Sequence, residues 1–293
     1  MRPGWIKSLD AERPVLIAGP TASGKSALAL EIATAQGGVI VNADALQVFA
    51  NWRVLTARPS RDEQAVAPHL LYGHVPGDAS YSVGHWLREL APVLAGEARV
   101  ILVGGTGLYF TALTEGLADI PPTPDVIRAE ANARLAGEGP GALLAELDAE
   151  TRARIDIANP VRVQRAWEVW RSTGRGLAAW QDGTPAPMLP LSAAQPILVE
   201  ADRDWLAQRI ERRFDAMIAN GALQEAQHNL AAWNPARPSS RAIGAAELIE
   251  HLLGKRNLKD AVAAGKTATR QYAKRQRTWF RSKMRGWRSI LLP

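Results

Sequence analysis

One string of eight residues constrains the fold of this 293-residue chain more than any other. Gly19-Pro20-Thr21-Ala22-Ser23-Gly24-Lys25-Ser26 matches the phosphate-binding pattern G-x-x-x-x-G-K-[ST]. The apolar run Val15–Ala18 precedes the string and the helix-forming stretch Ala27–Ala33 follows it, which is the strand–loop–helix context that the pattern requires. We therefore predict that the backbone amides of this loop surround phosphate oxygens, that Lys25 supplies a positive charge, and that the Ser26 hydroxyl binds Mg²⁺.

Three further apolar runs predict buried parallel strands, because they are short, continuous and separated by helical patterns. They are Gly38–Val41, Arg99–Val103 and Pro196–Glu200. Between residues 121 and 190 the pattern is helical without a strand, with helices predicted at 126–135, 142–155 and 161–174, and it is helical again from Asp204 onward. The sequence thus predicts an α/β fold, a P-loop NTPase-like doubly wound parallel sheet. Its core domain comprises residues 1–120 and 191–293, and a helical insertion domain comprises residues 121–190.

Composition excludes several classes of protein. There is no cysteine, so disulfides, thiol nucleophiles and Cys-ligated metal sites are ruled out, and no apolar run reaches the roughly 18 residues that span a bilayer. We expect a soluble, cytoplasmic protein that does not contact membranes.

Residues 241–293 contain 13 basic and 3 acidic residues, whereas the rest of the chain has a net charge of −4. Such asymmetry indicates either a partner that is a polyanion or a solvated basic helix.

The loop alone does not decide which chemistry follows. The run that ends at Val103 continues with Gly104-Gly105-Thr106, where an ATPase normally places an acidic residue. The carboxylate that does follow a predicted strand is that of Asp44. Asp44 is a water-mediated Mg²⁺ ligand, a general base for an incoming nucleophile, or simply a helix N-cap.

Several strings, in the same order along the chain, resemble the bacterial tRNA dimethylallyltransferases, and the resemblance covers residues 15–281. Beside the phosphate loop, these strings are Asn42-Ala-Asp-Ala-Leu-Gln47, Thr56-Ala-Arg-Pro59, His69-Leu-Leu71, Tyr81-Ser-Val83, Val103-Gly-Gly-Thr-Gly-Leu-Tyr-Phe110, Pro160-Val-Arg-Val-Gln-Arg-Ala-Trp-Glu-Val169, Arg241-Ala-Ile-Gly244 and Thr269-Arg-Gln-Tyr-Ala-Lys-Arg-Gln-Arg-Thr-Trp-Phe-Arg281.

The resemblance implies transfer of a dimethylallyl group from dimethylallyl diphosphate to N6 of adenosine 37, in tRNAs that read codons beginning with U. The phosphate loop would then hold a diphosphate leaving group, with Mg²⁺ as the cofactor. By the same resemblance, Asp44 is the general base, Thr106 helps to hold the target base, Arg241 reaches the diphosphate, and Lys25 stabilises the leaving group. The base would be flipped out of the anticodon loop into a channel.

The partners implied are the tRNA anticodon stem-loop and dimethylallyl diphosphate, and we expect the protein to act as a monomer. Arg270, Lys274, Arg277 and Arg281 recur on one helix face with Tyr272 and Trp279 interleaved, a pattern typical of contacts with a nucleic acid backbone. The predicted tRNA-binding residues are Asp44, Ala45, Leu46, Gln47, Thr106, Arg128, Val161, Arg162, Val163, Gln164, Arg165, Arg241, Gly244, Arg270, Lys274, Arg277 and Arg281.

Two other functions remain as alternatives. A P-loop small-molecule kinase accounts for residues 14–44 but not for the basic C-terminal region, and a non-catalytic RNA-binding protein leaves the phosphate loop without a role. The sequence also departs from the family: Ala45 and Ala245 stand where serine and tyrosine are usual.

Overall fold

The computed structural model describes residues 3–292, so the first two residues and the last residue of the predicted core domain lie outside it. Six strands form one parallel sheet with the order β3-β2-β4-β1-β5-β6, which confirms the predicted α/β class. The strands are β1 (Val15–Ala18), β2 (Val39–Asn42), β3 (His69–Leu70), β4 (Val100–Gly104), β5 (Gln195–Ala201) and β6 (Arg288–Leu292).

Four strands lie where the apolar runs predicted them, and the two at the edges of the sheet were missed. Strand β3 has only two residues, which is too short to give a pattern. The prediction that the chain is helical from Asp204 onward was wrong at its end, because β6 pairs with β5 in parallel from Ile197↔Arg288 to Ala201↔Leu292. Long-range pairing, which a local pattern does not report, places β6 in the sheet.

Side chains alternate between the two faces of the sheet, and each face is covered by helices. Leu16 and Leu102 point to one face, where they pack with Trp86, Phe110 and Phe280. Their neighbours along the strands point to the opposite face and pack with Leu28 and Ile32. Burial on both faces explains why the central strands read as continuous apolar runs rather than as alternating ones.

The α-helices of the described residues are, in chain order, α1 (Pro3–Ile6), α2 (Lys25–Gln36), α3 (Arg61–Val66), α4 (Val83–Leu94), α5 (Gly107–Glu115), α6 (Asp125–Glu138), α7 (Pro140–Ala145), α8 (Ala149–Arg154), α9 (Pro160–Thr173), α10 (Leu177–Asp182), α11 (Arg203–Ala219), α12 (Ala222–Asn229), α13 (Ala245–Leu252) and α14 (Leu258–Lys283). None of the helices within residues 3–292 is both long enough and apolar enough to cross a membrane.

The helix predicted at 142–155 is two helices. Glu146 ends α7, and the Asp148 side chain accepts a hydrogen bond of 2.7 Å from the Thr151 backbone N–H at the start of α8. An aspartate at this position satisfies an amide that a continuous helix would bond internally, so the chain stops and restarts there.

The chain forms two compact units. One contains the sheet and runs to Thr114, resuming at Leu189, and the other comprises Glu115–Met188. The second unit has its own core, in which helices α6, α7 and α9 contribute Ala131, Leu143 and Trp167.

Candidate active site

The phosphate loop connects β1 to α2 through two residues with left-handed backbone, Ala22 (φ 64°) and Gly24 (φ 94°). Gly24 precedes α2 without a side-chain cap, so the first amides of the helix remain available to a ligand. The Ser23 hydroxyl is fully buried in the loop and has no hydrogen-bond partner there. Free donors that converge in one loop are what an anionic phosphate group requires.

Two cationic side chains stand at this loop. Lys25 Nζ lies 3.3 Å from the Pro20 carbonyl oxygen, and Arg213 Nη1 lies 3.3 Å from Thr21 Oγ1. Burial lowers the pKa of Lys25 to about 8, and the nearby carboxylate of Asp44 opposes that shift. Burial also lowers the pKa of Arg213, and Asp44 again opposes it. Both residues are half-buried, and a bound anion would offset the cost of their partial desolvation.

Asp44 follows β2 in a turn that buried Asn42 holds. Asn42 Oδ1 accepts a hydrogen bond of 2.9 Å from the Asp44 N–H, and Asn42 Nδ2 donates one of 2.9 Å to the Asp44 carbonyl oxygen. Asp44 Oδ1 accepts from the Leu46 N–H at 3.0 Å. The carboxylate is therefore fixed by an Asx turn at the carboxyl end of a strand, and Asp44 does not cap a helix.

Thr106 follows β4 and ties its loop to the Asp44 turn. The Thr106 hydroxyl accepts a hydrogen bond of 2.9 Å from the Ala45 N–H, and the Thr106 N–H donates to the Ala43 carbonyl oxygen at 3.3 Å. Thr106 therefore holds the end of β4 against the Asp44 turn.

Lys25, Arg213 and Asp44 line a cleft of about 650 Å³, counted with the solvent-filled space at its mouth, and Thr106 is not among its lining residues. The lining residues are Thr21, Lys25, Asp44, Leu46, Gln47, Leu55, Thr56, Ile210, Arg213, Phe214, Met217, Ile243, Thr269 and Tyr272.

The cleft contains residues that the sequence did not single out for chemistry. Arg213 lies on the face of α11 that carries apolar Ile210 and Phe214. A cation on an otherwise apolar helix face is the sequence pattern that could have identified Arg213 as a functional residue. Tyr272 and Gln276 lie one turn apart on α14. Burial raises the pKa of Tyr272, and the Asp44 carboxylate adds to that rise.

Arg241 is not among the residues that line the cleft. It is exposed at the end of a short 3₁₀ helix, Pro238–Arg241, whereas Ile243, two residues after that helix, lines the cleft. In this geometry the guanidinium beside the phosphate loop is that of Arg213, which α11 holds against Thr21.

The predicted RNA contacts of the first unit fall into three groups. Gln47 Nε2 donates to the carbonyl oxygens of Thr56 (2.8 Å) and Ala57 (2.9 Å), and Gly244 is buried, so both maintain the fold around the cleft. Ala45 and Leu46 are half-buried in the Asp44 turn. On α14, Arg270, Lys274 and Arg281 are exposed and Arg277 is partly exposed, with Arg270 paired to Glu211.

In the second unit, Arg128, Val161 and Arg162 are exposed, whereas Gln164 and Arg165 are half-buried. Val163 is fully buried among the apolar side chains of that unit, so it packs the core and is not available to RNA. Buried Glu168 lies 3.5 Å from Arg128 Nη2 and 3.9 Å from Arg165 Nη1, and it holds the two arginines on the same side of α9.

A magnesium site made by protein side chains alone does not form within residues 3–292, where no three His, Asp or Glu residues cluster suitably. The Ser26 hydroxyl is exposed in the first turn of α2. Mg²⁺ commonly takes one or two protein oxygens together with substrate phosphates, and a single hydroxyl beside a phosphate loop fits that mode.

Comparison with known proteins gives the family. A sequence model described as IPP transferase matches residues 47–283, and one described as isopentenyl transferase matches residues 13–67. The chain belongs to the IPP transferase family. It is accordingly an enzyme of the tRNA dimethylallyltransferase class, as the sequence resemblance predicted.

Curated relatives support this assignment over nearly the whole chain. The tRNA dimethylallyltransferase of Cereibacter sphaeroides is 63% identical, covering 97% of this chain and 98% of the relative. That of Roseobacter denitrificans is 64% identical, covering 96% and 99%.

Solved structures agree. The full-length tRNA isopentenylpyrophosphate transferase of Bacillus halodurans has a TM-score of 0.67 at 31% identity, covering 96% of this chain and 90% of that one. A eukaryotic dimethylallyltransferase acting on tRNA has a TM-score of 0.79 at 24% identity, covering 96% and 73%, and at that identity it shows the shared fold alone.

Proposed function

We propose that this enzyme transfers the dimethylallyl group of dimethylallyl diphosphate to N6 of adenosine 37, in tRNAs that read codons beginning with U. One observation carries the proposal: the cations of the phosphate loop and the carboxylate of Asp44 line the same cleft. Such a cleft suits a reaction in which a diphosphate leaves while a nucleophile loses a proton.

The leaving group requires the most help, because the exocyclic amine of adenine is a weak nucleophile whose lone pair is delocalised into the ring. The allylic C–O bond can ionise early if the departing diphosphate is stabilised. Lys25, Arg213 and the donors of the phosphate loop supply positive potential in a partly dry cleft, where such stabilisation is strongest.

The reaction forms one C–N bond and breaks one C–O bond. The N6 nitrogen attacks C1 of the dimethylallyl group, the bond from C1 to the diphosphate oxygen breaks with its electron pair leaving on diphosphate, and the N6 proton passes to Asp44. The Asx turn holds Asp44 Oδ1 against the Leu46 N–H, which fixes the carboxylate in place for that transfer.

The base must leave the anticodon stack to reach the cleft. In this proposal the Thr106 hydroxyl, which accepts from the Ala45 N–H, lies near the adenine and helps to hold it. The Ser26 hydroxyl would hold Mg²⁺ together with the diphosphate, and the bound ion would add positive charge to the leaving group.

The exposed basic residues of α14 bind the phosphate backbone of the stem-loop in this proposal. Arg128, Arg162 and Arg165 of the second unit make further backbone contacts, and Glu168 keeps Arg128 and Arg165 oriented.

The test is nucleoside mass analysis of unmodified tRNA with adenosine at position 37, incubated with the protein, Mg²⁺ and dimethylallyl diphosphate. A gain of one dimethylallyl group on that adenosine supports the proposal. Consumption of ATP with unmodified RNA would instead indicate the kinase, and tight RNA binding without product would indicate a binding protein.

A further inference from the structure

A glutamine on α14 bridges the two loops that meet at the active site. Gln276 Oε1 accepts a hydrogen bond of 2.8 Å from the Thr21 N–H in the phosphate loop, and its Nε2 donates one of 2.8 Å to the Gly105 carbonyl oxygen. Only 6% of Gln276 is exposed. Both ends of one buried amide are thus engaged, and each contacts a different loop.

Each of the two loops contacts a different substrate in the proposed reaction. Thr21 belongs to the phosphate loop, which holds the leaving group, while Gly105 precedes Thr106, which faces the base. The sheet aligns their strands only as far as the pair Ala18↔Gly104. Beyond that pair the sheet no longer sets their separation, and the Gln276 amide spans the gap.

Glycine at 105 makes this approach feasible. A Cβ added there would collide with Gln276 Nε2 and would lie 3.1 Å from Asp44 Oδ2. The backbone of Gly105 therefore lies against both the bridging amide and the proposed general base, so a shift of this loop changes the surroundings of Asp44 directly.

Gln276 is not needed to attach α14 to the sheet, because apolar contacts do so. Phe280 and Met284 are buried in the cluster that covers one face of the sheet, and the Trp279 ring occupies the space beside Gly107. Removing the amide leaves these anchors intact, so its hydrogen bonds have a separate role.

We propose that Gln276 is a positioning residue, which fixes the distance between the phosphate loop and the Gly105–Thr106 loop. This distance aligns the reacting carbon of the dimethylallyl diphosphate with the N6 atom of the base. The inference rests on the proposed function and names a further residue of that site. Each loop still binds its own substrate when Gln276 is lost, but their alignment relaxes, and a misplacement of about 1 Å can cost roughly 100-fold in rate.

The test compares Gln276→Leu with Gln271→Leu, the same change on an exposed position of the same helix. Three quantities are measured for each full-length variant: affinity for inorganic diphosphate, affinity for an anticodon stem-loop RNA, and the single-turnover rate of transfer with both substrates saturating. For Gln276→Leu we expect both affinities within about threefold of the unchanged protein and a rate at least roughly 30-fold lower. Gln271→Leu should match the unchanged protein in all three.

Gln276→Glu serves if the leucine variant does not fold, because its carboxylate still accepts from the Thr21 N–H but cannot donate to Gly105. It should also be slow. A normal rate in either folded variant, or a loss of affinity that accounts for the whole loss of rate, would overturn the inference. If the unchanged protein itself makes no product, the proposed function fails, and that result is distinct from a normal rate in the variants.

Discussion

At the scale of single residues, the carboxylate of Asp44 stands among cations and is fixed by its own turn. Asp44→Asn removes the charge while its amide oxygen can still accept from the Leu46 N–H. We expect prenyl transfer to fall by roughly 100-fold or more, with affinity for the stem-loop RNA unchanged, because a general base contributes about that factor. The rate is measured in single turnover, and Asp78→Asn at an exposed site is the control. Retained activity would show that Asp44 only stabilises the turn and is not the general base.

Arg213 offers a second test, since its guanidinium contacts Thr21 of the phosphate loop. Arg213→Gln should weaken binding of inorganic diphosphate by about 10- to 100-fold, the equivalent of losing one hydrogen bond to a charged group. Titration calorimetry measures this, and Arg212→Gln on the exposed side of α11 is the matched control. Equal affinities for the two variants would contradict the role given to Arg213.

At the scale of elements, α14 has an exposed basic face and a buried face. Its exposed cations are available to RNA, whereas Gln276 and Phe280 are buried against the rest of the unit. Lys274→Ala combined with Arg277→Ala should weaken RNA binding. The plot of log affinity against log salt concentration should also become shallower, because one to two phosphate contacts are lost and each contributes roughly 0.7–0.9 to the slope.

The rate at saturating RNA should change little in that double variant, because neither residue lines the cleft. Lys255→Ala combined with Lys259→Ala removes the same charge near the start of the helix and is the control. An unchanged salt dependence would show that the Lys274 and Arg277 face of α14 does not bind the backbone.

The stability of the second unit depends on one large side chain. Trp167 is fully buried, and its Nε1 donates to Glu146 Oε2 at 2.7 Å. Trp167→Ala should destabilise this unit by about 3–5 kcal/mol, the usual cost of a cavity of that size. Limited proteolysis should then cut within residues 115–188 while the sheet-containing unit stays intact, and Trp180→Ala at a half-buried site should be milder. Resistance to cleavage would contradict the proposed importance of Trp167.

At the scale of the whole molecule, the sequence predicted what is local or strongly patterned. The phosphate loop, the four buried strands and the Asp44 position all follow from short strings. The roles of Arg213 and Gln276 could not be predicted in this way, because the two residues lie on α11 and α14, far away in sequence, and only packing brings them to Thr21. Strand β6 was missed for the same reason, since its partner β5 lies some 90 residues earlier.

In the proposed reaction the phosphate loop holds a diphosphate leaving group and not a nucleoside triphosphate. The most direct measurement is the ratio of inorganic diphosphate released to dimethylallyl groups added to tRNA, with ATP also present. We expect one diphosphate per group transferred, no ADP, and no release without RNA. Formation of ADP, or diphosphate release that does not accompany modified adenosine, would contradict it.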